Sequence, residues 1–300
     1  MKSFRRMLLI FNPKAGTQKF SGYLFEVVDR FCAAGYLVTA YSTQSAGEAG
    51  ELIRKIGDEY DCLICSGGDG TIREAVDALM SLAKRPSFGI IPAGTVNDFA
   101  ASLGIPKDVL MATESIISSD SYALDVGRFR DKHFTYVAAF GMYTDVPYST
   151  PQQAKNMLGR LAYFLEGVKR AGTPEPLRCE FDLDGERLGG DFILGIVSNA
   201  HSVAGVRLSQ EMGARTDDGL FEVILARAPQ NLLEWQQIIS SLLAQEAKTD
   251  LLIIRKAKRV GFSSEKPVAW TLDGDFGGEH TQAVIENRRH AIEVIRPKGG

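Results

Sequence analysis

Cysteine is scarce: four residues in a chain of 300, too few for a disulfide framework. Two of them, Cys62 and Cys65, form a C-x-x-C, a spacing that invites a zinc or redox reading. They sit in an apolar run that reads as a strand, where residues three apart face opposite sides and cannot share one metal. The reading is two buried free thiols in a reducing cytoplasm. Histidine is equally thin, and His133, His201, His280 and His290 show no metal spacing, so none is read as catalytic. Long apolar runs are missing, and nothing approaches the roughly 20 residues of a membrane-spanning helix. The basic start Met1–Arg6 is followed by an apolar run only from Met7 to Phe11, strand length and too short for the core of a signal peptide. An excess of one charge is also lacking: the formal net charge is −3, which argues against a general nucleic-acid binder. There is no low-complexity tract and no convincing repeat. What remains is 45% hydrophobic and 24% charged, an ordinary soluble globular composition, in a length that suggests about two domains.

The first 129 residues alternate between apolar strand runs and helical periodicity. Strands are expected at Met7–Phe11, Tyr36–Tyr41, Cys62–Ser66, Phe88–Ile91 and Tyr122–Phe129. Helices are expected at Phe20–Ala34, Glu48–Tyr60, from Thr71 through Leu82, and at Pro106–Ile117. Alternation of this kind predicts a parallel, doubly wound α/β sheet, in which ligands bind outside the carboxyl ends of the strands. Three polar, glycine-bearing loops follow three of these strands: Asn12–Gly16, Gly67–Thr71 and Gly94–Asp98. The fold rule puts them on one edge, where they can enclose one ligand.

The central stretch is Ser66-Gly67-Gly68-Asp69-Gly70-Thr71-Ile72-Arg73-Glu74. Three glycines within four residues let the backbone approach a ligand, and Thr71 with Glu74 reads as a capping box. Unpaired amides at such a turn form an anion site, most often for phosphate. A carboxylate there would repel phosphate unless a cation intervened, so Asp69 suggests Mg²⁺. No Lys-Ser/Thr pair follows the glycines, so this is not a Walker A loop. Arg73 stands where a dinucleotide fingerprint has its third glycine.

From 130 to 300 strands dominate, predicting a mostly antiparallel, sandwich-like second domain. Strands are expected at Phe134–Phe140, Leu177–Leu183, Gly190–Ser198, Phe221–Leu225, Leu251–Lys256, Lys258–Phe262 and Val268–Leu272. Helices are expected at Pro151–Ala171 and Asn231–Ala247. A last strand at 290–296 is free to return to either domain.

The set Asn12-Pro13-x-x-Gly16, Gly67-Gly68-Asp69-Gly70-Thr71, Gly94-Thr95-x-Asn97-Asp98, Asp217-Asp218-Gly219 and Leu272-Asp273-Gly274 resembles the diacylglycerol kinase catalytic-domain family, in its soluble bacterial branch. The resemblance implies a phosphofructokinase-like nucleotide domain, a β-rich lipid-substrate domain, and an active site in the cleft between them. It implies ATP and Mg²⁺ as cofactors. The nucleotide site would include Asn12, Pro13, Gly16, Thr43, Gly67, Gly68, Asp69, Gly70, Thr71, Thr95 and Asn97; Thr43 reads equally as a helix cap. Asp69, Asp98 and Asp125 would form the acidic network around the active-site metal, although Asp125 also fits a plain strand end. Arg215 and Leu220, through backbone carbonyls, and Asp218, through its carboxylate, would hold a structural Mg²⁺. Met212 stands where the family often has proline, and the alternative is an ordinary Asp-Gly turn.

Leu-Asp-Gly-acid occurs twice, at Leu183–Glu186 and Leu272–Asp275. The first reads as a hairpin turn. The second matches the family's late motif, with Asp275 where Glu is usual. Asp273 and Asp275 are nominated together, one taking the proton of the acceptor hydroxyl and the other orienting it. The expected activity is transfer of the ATP γ-phosphate to a lipid hydroxyl, on diacylglycerol or a related lipid, by a cytoplasmic enzyme visiting the inner membrane surface. A helix at 151–171 and the basic cluster Arg255–Arg259 are membrane candidates, and core packing and a solvated strand edge are their alternatives. Rival readings are a kinase of a soluble acceptor such as NAD, and a non-catalytic nucleotide-binding regulator. Oligomeric state is open, with a homodimer among the alternatives.

Overall fold

The structure, a computed structural model, describes residues 4–16, 19–95, 97–141, 175–199, 202–203, 206–207, 217–244 and 249–297. The helix expected at 151–171, together with His201, Met212 and Arg215, lies outside them. By internal contacts the chain forms two units. One is Met1–Val126 with Lys132–Thr135 and Arg288–Gly300; the other is Gly127–Asp131 with Tyr136–Asn287. A single cut at 129 therefore does not describe the chain, which passes from unit to unit several times.

The first unit runs β1 (Arg5–Phe11), α1 (Lys19–Ala33), β2 (Tyr36–Ser42), α2 (Glu48–Ile56), β3 (Cys62–Gly67), α3 (Asp69–Ser81), β4 (Ser87–Pro92), α4 (Asp98–Ser102), α5 (Val109–Ser118), β5 (Ser121–Phe129) and β6 (Lys132–Phe134). Strands β1 to β4 are parallel in the order β4-β3-β1-β2. Leu8, Leu9, Ile10, Leu63, Ile64, Ile90 and Ile91 are fully buried, as expected of parallel strands covered on both faces. Helix α1 buries Phe20, Val27 and Phe31, its apolar stripe, and Gly35 at φ +90° stops it because only glycine takes that conformation without strain. Cys62 and Cys65 are buried free thiols, pushed up to about 12 by burial. At that value they stay protonated and unreactive.

The second unit contains β7 (Val137–Gly141), β8 (Leu177–Leu183), β9 (Glu186–Ser198), the short pair β10 (Ser202–Val203) and β11 (Val206–Arg207), β12 (Phe221–Arg227), α6 (Leu232–Ala244), β13 (Leu252–Ala257), β14 (Arg259–Leu272) and the first part of β15 (Asp275–Ile295), which from Arg288 on belongs to the first unit. All its long pairings are antiparallel. β7 pairs with β9 and β14, and β8 pairs with the same two strands. The four pairings close a ring around buried Phe140, Phe181, Phe192, Phe262 and Trp270. Phe140 and Trp270 lie 4.9 Å apart and Phe181 and Phe262 5.6 Å apart, between centroids, in the range of favourable aromatic pairs. Gly195 faces Phe140 across the ladder, and a Cβ there would sit 2.0 Å from the ring; the missing side chain makes room for the aromatic.

Three expectations are corrected. The strand expected at Phe134–Phe140 is two strands, β6 and β7, broken at Thr135–Tyr136. The runs at Lys258–Phe262 and Val268–Leu272 are one strand, β14, whose register slips between Ser263 and Val268, where Pro267 has no N–H to give. The last strand starts not at 290 but at Asp275. Its Gly277-Gly278 and polar residues hide the pattern, and burial alternates clearly only from Ala283 to Asn287. The end of β15 pairs parallel with β4, Val294 opposite Phe88.

Candidate active site

In the first unit the register aligns the strand ends. Phe11 is opposite both Ser42 and Ser66, and Gly67 is opposite Pro92. The loops after β1, β2, β3 and β4 therefore leave one edge of the sheet together. Their first amides continue the ladder: Asn12 N–H donates to Ser66 O, Thr43 N–H to Phe11 O, and Ala93 N–H to Gly67 O.

The loops then interlock. Gly68 and Gly94 approach so closely that a Cβ on Gly94 would lie 2.5 Å from Gly68 Cα. A Cβ on Gly16, at φ +52°, would lie 2.2 Å from Ala93 O. Asn12 folds its own loop, with Oδ1 accepting from Lys14 N–H at 2.9 Å, and its Nδ2 donates to Thr71 Oγ1 at 3.4 Å. Asn97, buried and left-handed at φ 58°, accepts from Gly94 N–H and donates to Gly94 O. Thr43 is buried and bonds Phe11 O through its hydroxyl. It does not cap α2, whose N-cap is Gly47. Beside it Glu48 accepts from the Tyr41 hydroxyl and from the Gln44 and Ser45 amides, which hold its carboxyl below the usual range.

Helix α3 starts at Asp69, two residues before Thr71, with Gly68 as an N-cap that offers no side-chain bond. The expected capping box does not form. The amides of the first turn are left without a side-chain cap beside an exposed Gly70, the condition under which a helix start accepts phosphate. Thr95 is exposed at the same loop cluster, and Pro13 lies in the turn after β1.

The acids behave differently from expectation. Asp69 accepts from Asn97 N–H at 2.9 Å and Phe99 N–H at 3.3 Å, so its carboxylate ties α3 to the start of α4. Asp125 is mid-strand in β5, buried, and accepts from His290 N–H at 2.8 Å. Asp98 is exposed at the first position of α4. Among the described residues no group of three or more His, Cys, Asp or Glu side chains is disposed to hold a metal ion. The three-carboxylate set is therefore not gathered, and these residues fit Mg²⁺ only as partial ligands that leave most positions to phosphate and water.

In the second unit Asp273 and Gly274, at φ 50° and 89°, form the two-residue turn between β14 and β15. Asp273 Oδ1 accepts from the Tyr136 and Val137 amides, both at 2.9 Å. That is the physical reason for the strand break at Thr135–Tyr136. Asp275 is exposed, and the next residue, Phe276, is 69% exposed. The sequence reading passed over Phe276; its signal was a large aromatic directly after the late acidic motif.

Asp218 Oδ1 accepts from Leu220 N–H, and its Oδ2 lies 3.4 Å from Lys256 Nζ, which also pairs with buried Glu222 at 3.7 Å. An ammonium thus stands at the carboxylate that the resemblance gives to a structural Mg²⁺, while Arg215, the first of that ion's expected backbone ligands, lies outside the described residues. Arg255 pairs with Glu186, so two of the four cations of the basic cluster are paired within the chain.

The class these features suggest, a phosphate-binding loop edge in a mixed α/β chain, is given its family by comparison. A family model of the diacylglycerol kinase catalytic domain matches residues 6–129. The diacylglycerol kinase of Bacillus subtilis (strain 168) is 34% identical over 298 residues, spanning 98% of this chain and 97% of that protein. That of Staphylococcus carnosus (strain TM300) is 34% identical over 296 residues, spanning 98% and 96%. A solved diacylglycerol kinase from Bacillus anthracis str. Sterne superposes with a TM-score of 0.76 at 23% identity, over 99% of both chains. The chain belongs to the diacylglycerol kinase family. Its members are ATP-dependent lipid kinases, so ATP is the phosphate donor and a lipid the acceptor. No helix of the described residues is long and apolar enough to cross a membrane.

Proposed function

We propose that the chain transfers the ATP γ-phosphate to the hydroxyl of diacylglycerol or a closely related lipid at a membrane surface. The observation that carries the nucleotide half is the common edge of the first unit's loops, where the uncapped start of α3 meets three glycines. Bound there, ATP with Mg²⁺ would supply the phosphoryl group and neutralise its charge. The Gly67–Thr71 amides would hold the phosphates, and Asn12, Pro13, Gly16, Thr43, Thr95 and Asn97 would shape the nucleotide loops. Exposed Asp98 and the remaining lone pairs of Asp69 would be the carboxylate ligands offered to Mg²⁺; Asp125, buried and accepting from His290 N–H, would support the site from within β5.

For the acceptor half, Asp275 is the proposed base. Its carboxylate would take the hydroxyl proton as the lipid oxygen bonds to the γ-phosphorus and the bond to the bridging oxygen breaks, leaving ADP. Asp273 already accepts two backbone amides and is read as the group that orients the turn. The exposed Phe276 beside Asp275 supports an apolar acceptor. Purified protein with γ-labelled ATP and a panel of lipids in mixed micelles tests the reading. Labelled lipid is expected from diacylglycerol or a close relative; no labelled lipid from any class, or transfer to NAD instead, would sink it.

A further inference from the structure

The two Leu-Asp-Gly-acid segments, which the sequence separates into a hairpin and a catalytic motif, are one structural device used twice. In both, aspartate and glycine take positive φ: 52° and 100° at Asp184–Gly185, 50° and 89° at Asp273–Gly274. Both close a two-residue hairpin, with Leu183 opposite Glu186 and Leu272 opposite Asp275. Both dock on the start of a third strand in the same register. Leu183 faces Val260 and Leu272 faces Ala138. One residue on, Asp184 N–H donates to Arg259 O and Asp273 N–H donates to Val137 O. Each carboxylate then accepts two consecutive amides ahead of that strand. For Asp184 these are Lys258 and Arg259, at 2.7 and 2.9 Å. For Asp273 they are Tyr136 and Val137.

The physical problem is the same at each place. A type I′ turn needs two left-handed residues, which Asp-Gly supplies. The strand alongside starts beyond the hairpin's end, so its first amides are out of reach of the hairpin's ladder; at Asp273 they are part-buried, where leaving them unpaired is costly, and at Asp184 they are exposed. The turn's own carboxylate fills that gap. Asp184 does this in a hairpin to which no chemistry is assigned, so the bonding of Asp273 needs no catalytic explanation. What sets the second copy apart is the residue after its glycine: Asp275 is exposed and is followed by Phe276, 69% exposed, whereas Glu186 of the first copy pairs with Arg255 and is followed by Arg187.

We infer that Asp273 is a positioning residue: a latch that fixes the β14–β15 turn on the start of β7 and so holds Asp275 in place. The activity arm of its test rests on the lipid-kinase reading above. Both amides bond the same oxygen, Oδ1, so the single carbonyl oxygen of asparagine can keep the latch, and alanine cannot. Asp273→Ala is expected to lower kcat by about 100-fold, the cost of a small misplacement of a reacting group. Asp273→Asn is expected to recover to within about fivefold of the parent, and Asp275→Asn to stay at the alanine level. Asp273→Asn as inactive as Asp275→Asn while still folded would overturn the inference, and so would Asp273→Ala with full activity. If Asp273→Ala does not fold, the comparison of the two asparagine variants decides alone. Asp184→Ala serves as the twin without a base beside it: its melting temperature falls and its kcat stays within about twofold. A loss equal to that of Asp273→Ala would mean general loosening and would overturn the positioning role. If the parent phosphorylates no lipid, the lipid reading fails and hydrogen exchange settles the latch. Tyr136 and Val137 amides protected in Asp273→Asn and exposed in Asp273→Ala support it; protection in both refutes it.

Discussion

Asp69 offers the sharpest test of how the nucleotide loops are built. Its carboxylate accepts two amides of the segment after β4, at 2.9 and 3.3 Å. A hydrogen bond to a charged acceptor contributes about 1.5–3 kcal/mol. Both bonds are part-buried and the second is long, so the lower end applies. Asp69→Asn keeps one oxygen and turns an NH₂ toward the other amide, an expected loss of about 2 kcal/mol; Asp69→Ala frees both amides and costs about 3 kcal/mol. The assay is urea unfolding in EDTA, followed by far-UV circular dichroism. Tryptophan emission would report the wrong half, because Trp235 and Trp270 both lie in the second unit. Amide exchange at Asn97 and Phe99 should accelerate in parallel. If Asp69→Asn unfolds at the parent's midpoint in EDTA, with those two amides as protected as before, the tie is not real. Asp69 would then belong to the metal alone, with ATP binding the only property lost.

Gly94→Ala should separate the two glycine loops, since its methyl would press into backbone at Gly68; calorimetry should show ATP affinity falling at least about tenfold, roughly 1.4 kcal/mol. Gly195→Ala drives a methyl into the Phe140 ring inside the aromatic ring of strands, and thermal unfolding should show a loss of about 1–3 kcal/mol. Burial pushes the Glu222 carboxyl up to about 7 from 4.5, against the pull of Lys256 and with the push of Asp218. The unfolded chain then gives up its proton first, so stability should fall as pH rises from about 4.5 to about 7, by about 3 kcal/mol. Glu222→Gln should flatten that window in a pH series of melting curves. Arg85 donates to Leu79 O and Met80 O at the end of α3 and to Ala291 O of β15; Arg85→Met should cost about 1–3 kcal/mol in the same melts.

The parallel half was legible because its signals are local. Leu8-Leu9-Ile10 and Leu63-Ile64 can hardly be anything but buried strands, and a glycine loop after each marks the ligand edge. The start of α3 was misread for a nonlocal reason. Thr71 and Glu74 look like a capping box, but the helix begins earlier because Asp69 is held from Asn97 and Phe99, residues 28 and 30 positions on. The second unit was less legible because its order comes from pairings between distant strands. Nothing within Leu177–Leu183 says that it will bond both β9 and β14, and so the ring of strands has no sequence signature. Strand β15 hides for the same reason: Gly277, Gly278 and His280 weaken its pattern, and its place is set by β14 and β4.

The acids carry the more general lesson. Four aspartates that a motif reading would put to chemical use or pass off as turn residues, Asp69, Asp125, Asp184 and Asp273, each accept backbone amides from a distant segment. All four fix residues at positive φ or turns that contain them: Asn97, His290, the Asp184–Gly185 turn and the Asp273–Gly274 turn. An aspartate at such a place satisfies amides that neither helix nor ladder can reach, and a short carboxylate does this better than any neutral side chain. A carboxylate near a phosphate edge can therefore have a structural role in addition to any metal it binds. Chemistry should instead be sought at the exposed acids of the two motifs, and by that criterion Asp98 and Asp275 are the ones to change first. If the criterion is sound, Asp98→Asn and Asp275→Asn will lower phosphoryl transfer while leaving the melting temperature within about 2 °C of the parent. Asp69→Asn and Asp125→Asn will lower the melting temperature first.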